Sequence, residues 1–359
     1  MRRLLPLLAC ALVLSMLSGA GAAGIDWKSL PNFDYYNQRL RLSTDSTWGG
    51  AHVVDAGKFL NFQPDTSWPK LKRQWLWSAS CGQQAQRVVF TKTFLAPGVP
   101  VSGNLNLYYG PGNQFLGNRP YESAVYEING IEIGRLGNTA RFPKKFAPEL
   151  SAALSARALH AFRHGQNRAT IRVDRAPLKK GDPCTHPNSP KVGGNVRYIA
   201  VLADLSLLFG ADLRAVAPQT PQQVQHVTNG QTVSLQGVPS FANDGPSTSL
   251  GGTVQLSAGG DGQTILVEPL THGVAPLTDC KLEQTRITCT YPELRAGART
   301  SINVTAAMKV NIGFFQNGVG KLTIQWSITR PGLDPNGANN TAQTVAILCA
   351  PGATVAPCS

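Results

Sequence analysis

Periodicity constrains this chain most. Apolar residues recur at every second position over short stretches, and only once at the spacing of a helix. Arg87–Phe94, Leu105–Tyr109, Ala124–Ile128, Ala169–Val173 and Tyr198–Leu202 alternate or run apolar in the first part of the chain. Thr232–Gly237, Gly252–Ser257, Thr264–Glu268, Arg286–Tyr291, Thr300–Ala306, Lys321–Ile328 and Ala342–Leu348 do so in the second. A period of two sends successive side chains to opposite faces of a strand, so each segment reads as a strand with one face buried. The gaps are filled by turn formers, with 36 Gly and 25 Pro in 359 residues. Asn129-Gly130, set between Glu127-Ile128 and Ile131–Ile133, marks a tight hairpin, because both residues tolerate positive φ. One helix is expected over Pro148–Phe162, where Leu150, Leu154, Ala158 and Phe162 recur every fourth residue and Gly165 can end it.

Cysteine usage and the first residues point to export. Arg2 and Arg3, the apolar run Leu4–Leu17 and the small residues Ser18–Gly24 read as a secretory signal over residues 1–23. That run is short for a membrane span, and no later stretch is long and apolar enough to be one, so no transmembrane segment is expected. Removing the signal takes Cys10 and leaves Cys81, Cys184, Cys280, Cys289, Cys349 and Cys358, an even set that suggests disulfides. Cys280 and Cys289 flank a plausible hairpin, and Cys349 and Cys358 close a loop rich in Pro and Gly. Cys81 is then left with Cys184. Their spacings do not match a zinc site, and no metal or cofactor is expected.

Charge divides the chain. The formal net charge is +13; residues 24–210 carry 23 Lys+Arg against 12 Asp+Glu, whereas residues 211–359 carry 8 of each. Trp27, Trp48, Trp68, Trp75 and Trp77 also fall in the first part, and only Trp326 in the second. This asymmetry suggests a basic domain over 24–210 that meets a partner and a neutral domain over 211–359 that positions it. Lys70, Lys72 and Arg73, then Arg141, Lys144 and Lys145, then Lys179 and Lys180 form basic clusters able to attract an anionic envelope polymer. No signature of specific nucleic-acid recognition accompanies them.

The strand ending in Phe94, the strand Leu105–Tyr109, the hairpin Val125–Gly134 and the turn Gly165-Gln166-Asn167 before Ala169–Val173 resemble the galactose-binding-like β-sandwich over residues 75–208. The resemblance implies a ligand site in loops at one end, with aromatic rings stacked on sugars. Trp75, Trp77, Tyr109, Asn113, Arg119 and Tyr121 are the candidate residues on that reading; Trp75 and Trp77, at i and i+2, share a strand face, and a core position is the simpler reading for them. In the second part, Ala211–Leu213, Asn243–Pro246, the Cys280/Cys289 pair, Leu294–Gly297 and Asp334–Asn340 occur in an order that resembles the DUF11-type conserved repeat domain of bacterial surface and secreted proteins. That resemblance implies an immunoglobulin-like sandwich with a structural or adhesive role. The expected fold is therefore all-β: a jelly-roll or galactose-binding-like sandwich with one helix, then an immunoglobulin-like one.

Catalytic signatures are sparse. His160 and His164 would share a helix face, but the zincin glutamate position is Ala161. Glu122, Glu127 and Glu132 could offer a glycosidase carboxylate pair, with solvent-facing strand positions as the simpler reading. The Asn-rich segment 334–340 has one carboxylate, few for calcium. The expectation is an exported, non-catalytic binding protein that contacts a glycan, an anionic envelope polymer or an envelope protein. A glycan-active hydrolase and a purely structural assembly component are the alternatives.

Overall fold

The computed structural model describes residues 25–50, 52–55, 74–79, 86–109, 123–137, 150–175, 198–218, 222–272, 277–283, 285–291 and 293–358. The fold is all-β, as the periodicity demands. Eleven strands form the first pair of sheets: β1 (Phe33–Asp34), β2 (Arg39–Ser43), β3 (His52–Asp55), β4 (Gln74–Ala79), β5 (Gln86–Pro97), β6 (Ser102–Tyr109), β7 (Ser123–Ile128), β8 (Ile131–Gly137), β9 (Leu150–Ala153), β10 (His164–Arg175) and β11 (Tyr198–Leu208). A seven-stranded sheet runs β1-β2-β11-β4-β3, with β6 also paired to β11 and β9 to β6. A four-stranded sheet runs β5-β10-β7-β8. Leu40, Leu42, Leu105, Leu107, Leu205 and Leu207 of the larger sheet share one buried core with Phe90, Phe94, Tyr126, Ile128, Ile171 and Val173 of the smaller. Burying such side chains contributes about 1.5–3 kcal/mol each.

Eleven more strands form the second pair of sheets: β12 (Leu213–Val216), β13 (Gln222–His226), β14 (Thr232–Gly237), β15 (Ser240–Asn243), β16 (Gly252–Gly260), β17 (Gly262–His272), β18 (Thr278–Glu283), β19 (Arg286–Tyr291), β20 (Arg299–Val310), β21 (Val319–Thr329) and β22 (Thr341–Cys349). One sheet runs β12-β15-β20-β14 with β17 also on β20; the other runs β13-β22-β21-β16-β19-β18. The strand pairs here are antiparallel except β13 on β22. Phe241, Val304, Ala306 and Met308 meet Leu256, Ile287, Ile324 and the fully buried Trp326 in a second core. Each expected strand of this part is present. Cys280–Cys289 joins β18 to β19, and Cys349–Cys358 ties β22 to the loop that follows it, as the spacing suggested. Cys81 and Cys184 lie outside the described residues.

The expected helix over 148–162 is corrected. Leu150–Ala153 is instead a strand paired to β6, with Leu150 opposite Leu107. Only Ala156–Leu159 is helical, here α1, and Ser155 caps it by accepting a hydrogen bond from the Ala158 N–H. An N-cap residue needs extended backbone, and Ser155 has it (φ −68°, ψ 162°), so no helix can pass through it. Leu154 still contacts the core and Phe162 is buried in it, so the fourfold spacing marked residues destined for burial but not their conformation.

Candidate functional site

The strands β2, β11 and β6 lie side by side, and their registers align. Ser43, Asp204 and Asn106 stand in one cross-strand row; Arg41, Ser206 and Asn104 in the next; Arg39, Leu208 and Ser102 in the third. The alternate residues Leu40, Leu42, Leu105, Leu107, Leu205 and Leu207 go to the core, so this set, polar but for Leu208, lies on the outer face of the sheet over β2, β11 and β6. A hollow of about 470 Å³ opens over it, lined by Arg39, Arg41, Asn104, Asn106, Asp204 and Ser206 among others. That volume falls in the range of small-ligand sites, roughly 300–1,000 Å³. Gly103 lets the sheet stay tight beneath it, since a side chain there would press on Leu207 and Leu154.

At its centre Arg41 donates from Nε to Asp204 Oδ1 (2.9 Å) and from Nη2 to Oδ2 (2.6 Å). Ser43 Oγ donates to Asp204 Oδ1 at 2.8 Å. The ion pair is largely buried, with side-chain exposures of 13% and 6%. Burial, with the Asp204 charge second, pushes the Tyr108 phenol above its ordinary value. At the rim, Arg39 is exposed and has no hydrogen-bond or ion-pair partner among the described residues. Asp34, its cross-strand neighbour, is already engaged: it accepts from the Asn37 amide (2.7 Å) and from the Tyr36 and Asn37 N–H groups. Burial pushes the Asp34 carboxyl up, but these hydrogen bonds and the Arg39 charge outweigh it and hold the group below the usual carboxylate value.

Of the residues singled out from sequence, some fall on described strands and most lie outside the described residues. Trp75 and Trp77 belong to β4, opposite Val54 and His52, with the fully buried Leu76 between them. Tyr109 ends β6 opposite the core residue Val201. Asn113, Arg119 and Tyr121 lie outside the described residues, as do Lys70, Lys72, Arg73, Arg141, Lys144, Lys145, Lys179 and Lys180. Glu127 is bound to Arg172 at 2.8 Å. Glu132 opposes it across the hairpin and pairs with Arg135, whose hydrogen bonds hold its carboxyl below the usual value despite partial burial. A general acid needs the opposite shift. Glu122 lies outside the described residues. Asp334 accepts from the Asn336 N–H (3.2 Å) and the Asn340 amide (3.0 Å), which uses its carboxylate within its own loop.

His160 and His164 do not share a helix face: His160 caps α1 and His164 begins β10. His164 sits where the two pairs of sheets meet. Its Nδ1 is 3.0 Å from Thr248 Oγ1 and its Nε2 is 3.6 Å from Glu293. The same seam holds Thr248 N–H on Pro97 O, Val99 N–H on Pro246 O, and the Tyr35 hydroxyl on Leu250 O. Burial lowers the His164 pKa below its usual 6.5, with Glu293 opposing and Arg295 reinforcing the shift. The folded chain therefore binds this proton less readily than the unfolded one. The stability from the neutral ring is complete above about pH 6.5 and is lost as pH falls through that value toward the lower folded pKa. Between pH 7.5 and 5.5, wild type should lose more of its urea midpoint than His164→Gln; equal losses would remove the seam from any pH response.

No protein-family model matches the chain, and no curated protein does. Among solved structures, it is similar to a Bacteroides uniformis β-glucuronidase at 11% identity, over 87% of this chain and 32% of that one, with a TM-score of 0.24. It is also similar to a GH2 β-galacturonidase from Eisenbergiella tayi bound to glycerol, at 8% identity over 88% of this chain and 44% of that one, TM-score 0.21. The chain spans less than half the length of either enzyme. The sandwich architecture rests on the sheets and cores of the chain itself. Among the described residues no helix is long and apolar enough to cross a membrane.

Proposed function

We propose that the chain is an exported, non-catalytic binding protein whose first sandwich holds a saccharide on the outer face of its seven-stranded sheet. The division falls near Gly210, and the second sandwich serves as spacer or docking module. One observation carries the reading: three cross-strand rows, polar at every position but Leu208, lie under a hollow of about 470 Å³. Amides, hydroxyls and a fixed guanidinium–carboxylate pair offer the mixed donors and acceptors that sugar hydroxyls need. The two disulfides suit an oxidising compartment.

A glycan array tests this. Ser206 is exposed on the floor of the hollow, so Ser206→Trp should fill it without entering the core. Wild type should retain a defined set of saccharides and Ser206→Trp should lose them. No retention by wild type, or equal retention by the variant, would sink the proposal, and turnover of a bound glycan would replace it with a hydrolase.

A further inference from the structure

We infer that the hollow takes an acidic saccharide, one bearing a carboxylate or a sulfate, with Arg39 as the partner of the anion. The inference rests on the saccharide reading above and adds the charge of the ligand. Among the described residues, three charged groups line the hollow: Arg39, Arg41 and Asp204. Arg41 and Asp204 neutralise each other through two parallel hydrogen bonds, and Ser43 adds a third to the carboxylate. Among the described lining residues, this leaves the Arg39 guanidinium as the cation not held in an ion pair. Asp34 faces Arg39 across the strand pair and feels its charge, but its oxygens are taken by the Asn37 amide and two backbone N–H groups, so the Arg39 guanidinium keeps its own donors for a ligand. The other polar lining groups, Ser102, Asn104, Asn106 and Ser206, are neutral.

This division of labour separates recognition of shape from recognition of charge. The Arg41–Asp204 pair is fixed in place beneath the hollow, among the neutral hydroxyl and amide groups of Ser102, Asn104, Asn106 and Ser206. Arg39 is exposed at the rim, where a guanidinium fork matches a planar carboxylate or two sulfate oxygens in a bidentate, charge-assisted contact. A neutral sugar gains from Arg39 only hydrogen bonds to neutral oxygens. An acidic one gains a contact that weakens with salt.

Calorimetric titration with a hexuronic acid oligomer and its methyl ester, at low and high salt, tests the inference. A second pair, a sulfated oligosaccharide and its unsulfated parent, identifies which anion is preferred. The acid should bind about tenfold tighter than its neutral counterpart at low salt, and Arg39→Gln should bring it down to the neutral value. Arg39 is exposed, so the variant should unfold at the wild-type midpoint, which thermal melting checks. Equal binding of acid and neutral forms would overturn the charge inference and leave the saccharide site standing. Loss of binding for every oligomer would overturn both. A preference that survives Arg39→Gln would move the anion contact away from Arg39.

Discussion

Replacing Asp204 with asparagine is expected to destabilise the chain by about 3–5 kcal/mol, because it breaks a buried ion pair from one side and takes the carboxylate away from the Arg41 guanidinium. Asp204 is 4% exposed and accepts both parallel hydrogen bonds of Arg41 and the hydroxyl of Ser43. Asparagine keeps the shape but offers one acceptor oxygen and an NH₂ that faces a cation. β11 is the hub of the seven-stranded sheet, hydrogen-bonded to β2, β4 and β6, so the damage falls where three strands depend on one. Urea unfolding should show a lowered midpoint for Asp204→Asn. The double variant Arg41→Met/Asp204→Leu should recover most of that loss, since an apolar pair of similar bulk removes the guanidinium along with the carboxylate. It should not recover saccharide binding. This split distinguishes a pair kept for a ligand from a pair kept for the fold. A single variant within about 0.5 kcal/mol of wild type would show that the pair contributes nothing beyond a surface contact.

The strands were legible in the sequence because a period of two survives any register. Seven segments of the second part and the main ones of the first were identifiable before any pairing was known. The edges were not. β18 has no buried residue, and β13 carries a single large apolar residue, Val224, in a polar pentapeptide, so neither alternates. They exist because a neighbouring strand offers its backbone, which is a tertiary fact. The helix expected over 148–162 failed for a related reason: a fourfold apolar spacing fits a helix, yet it also fits a strand, a cap and a turn that all drop residues into one core. The site was hidden more deeply. Arg39-Leu40-Arg41-Leu42-Ser43 does alternate, and so does Asn104-Leu105-Asn106-Leu107. Each shows that a polar row lies opposite an apolar one. That Asn106, Asp204 and Ser43 form one row depends on register between segments up to 161 residues apart, which composition and spacing do not carry.

The two turn motifs of the first sandwich were legible individually, and their joint role leads to the second large effect. Asn167, the last residue of Gly165-Gln166-Asn167, is 1% exposed and makes four hydrogen bonds. Its Oδ1 accepts from the Asn129 amide (2.8 Å) and the Arg163 N–H (3.0 Å); its Nδ2 donates to the carbonyls of Arg163 (2.8 Å) and Gly165 (2.9 Å). Asn129 completes the lock: its Oδ1 accepts from the Arg168 N–H, its Nδ2 also reaches Ala161 O, and it holds the first positive-φ position of the hairpin, at φ +50°. The hairpin turn and the entry to β10 are thus one hydrogen-bonded unit built from two asparagines. Asn167→Ala should cost on the order of 3 kcal/mol, because buried carbonyl and N–H groups lose partners that water cannot replace. Asn167→Asp gives a sharper test. At neutral pH its carboxylate keeps the acceptor role but faces the Arg163 and Gly165 carbonyls with no proton to donate. In acid the protonated carboxyl recovers one donor. The gap in urea midpoint between Asn167→Asp and wild type should therefore narrow as pH falls from 7 to 4.5, while the gap for Asn167→Ala should not. Parallel gaps for both variants would mean that the two carbonyls do not need the amide, and that the joint between the two turns is held by backbone alone.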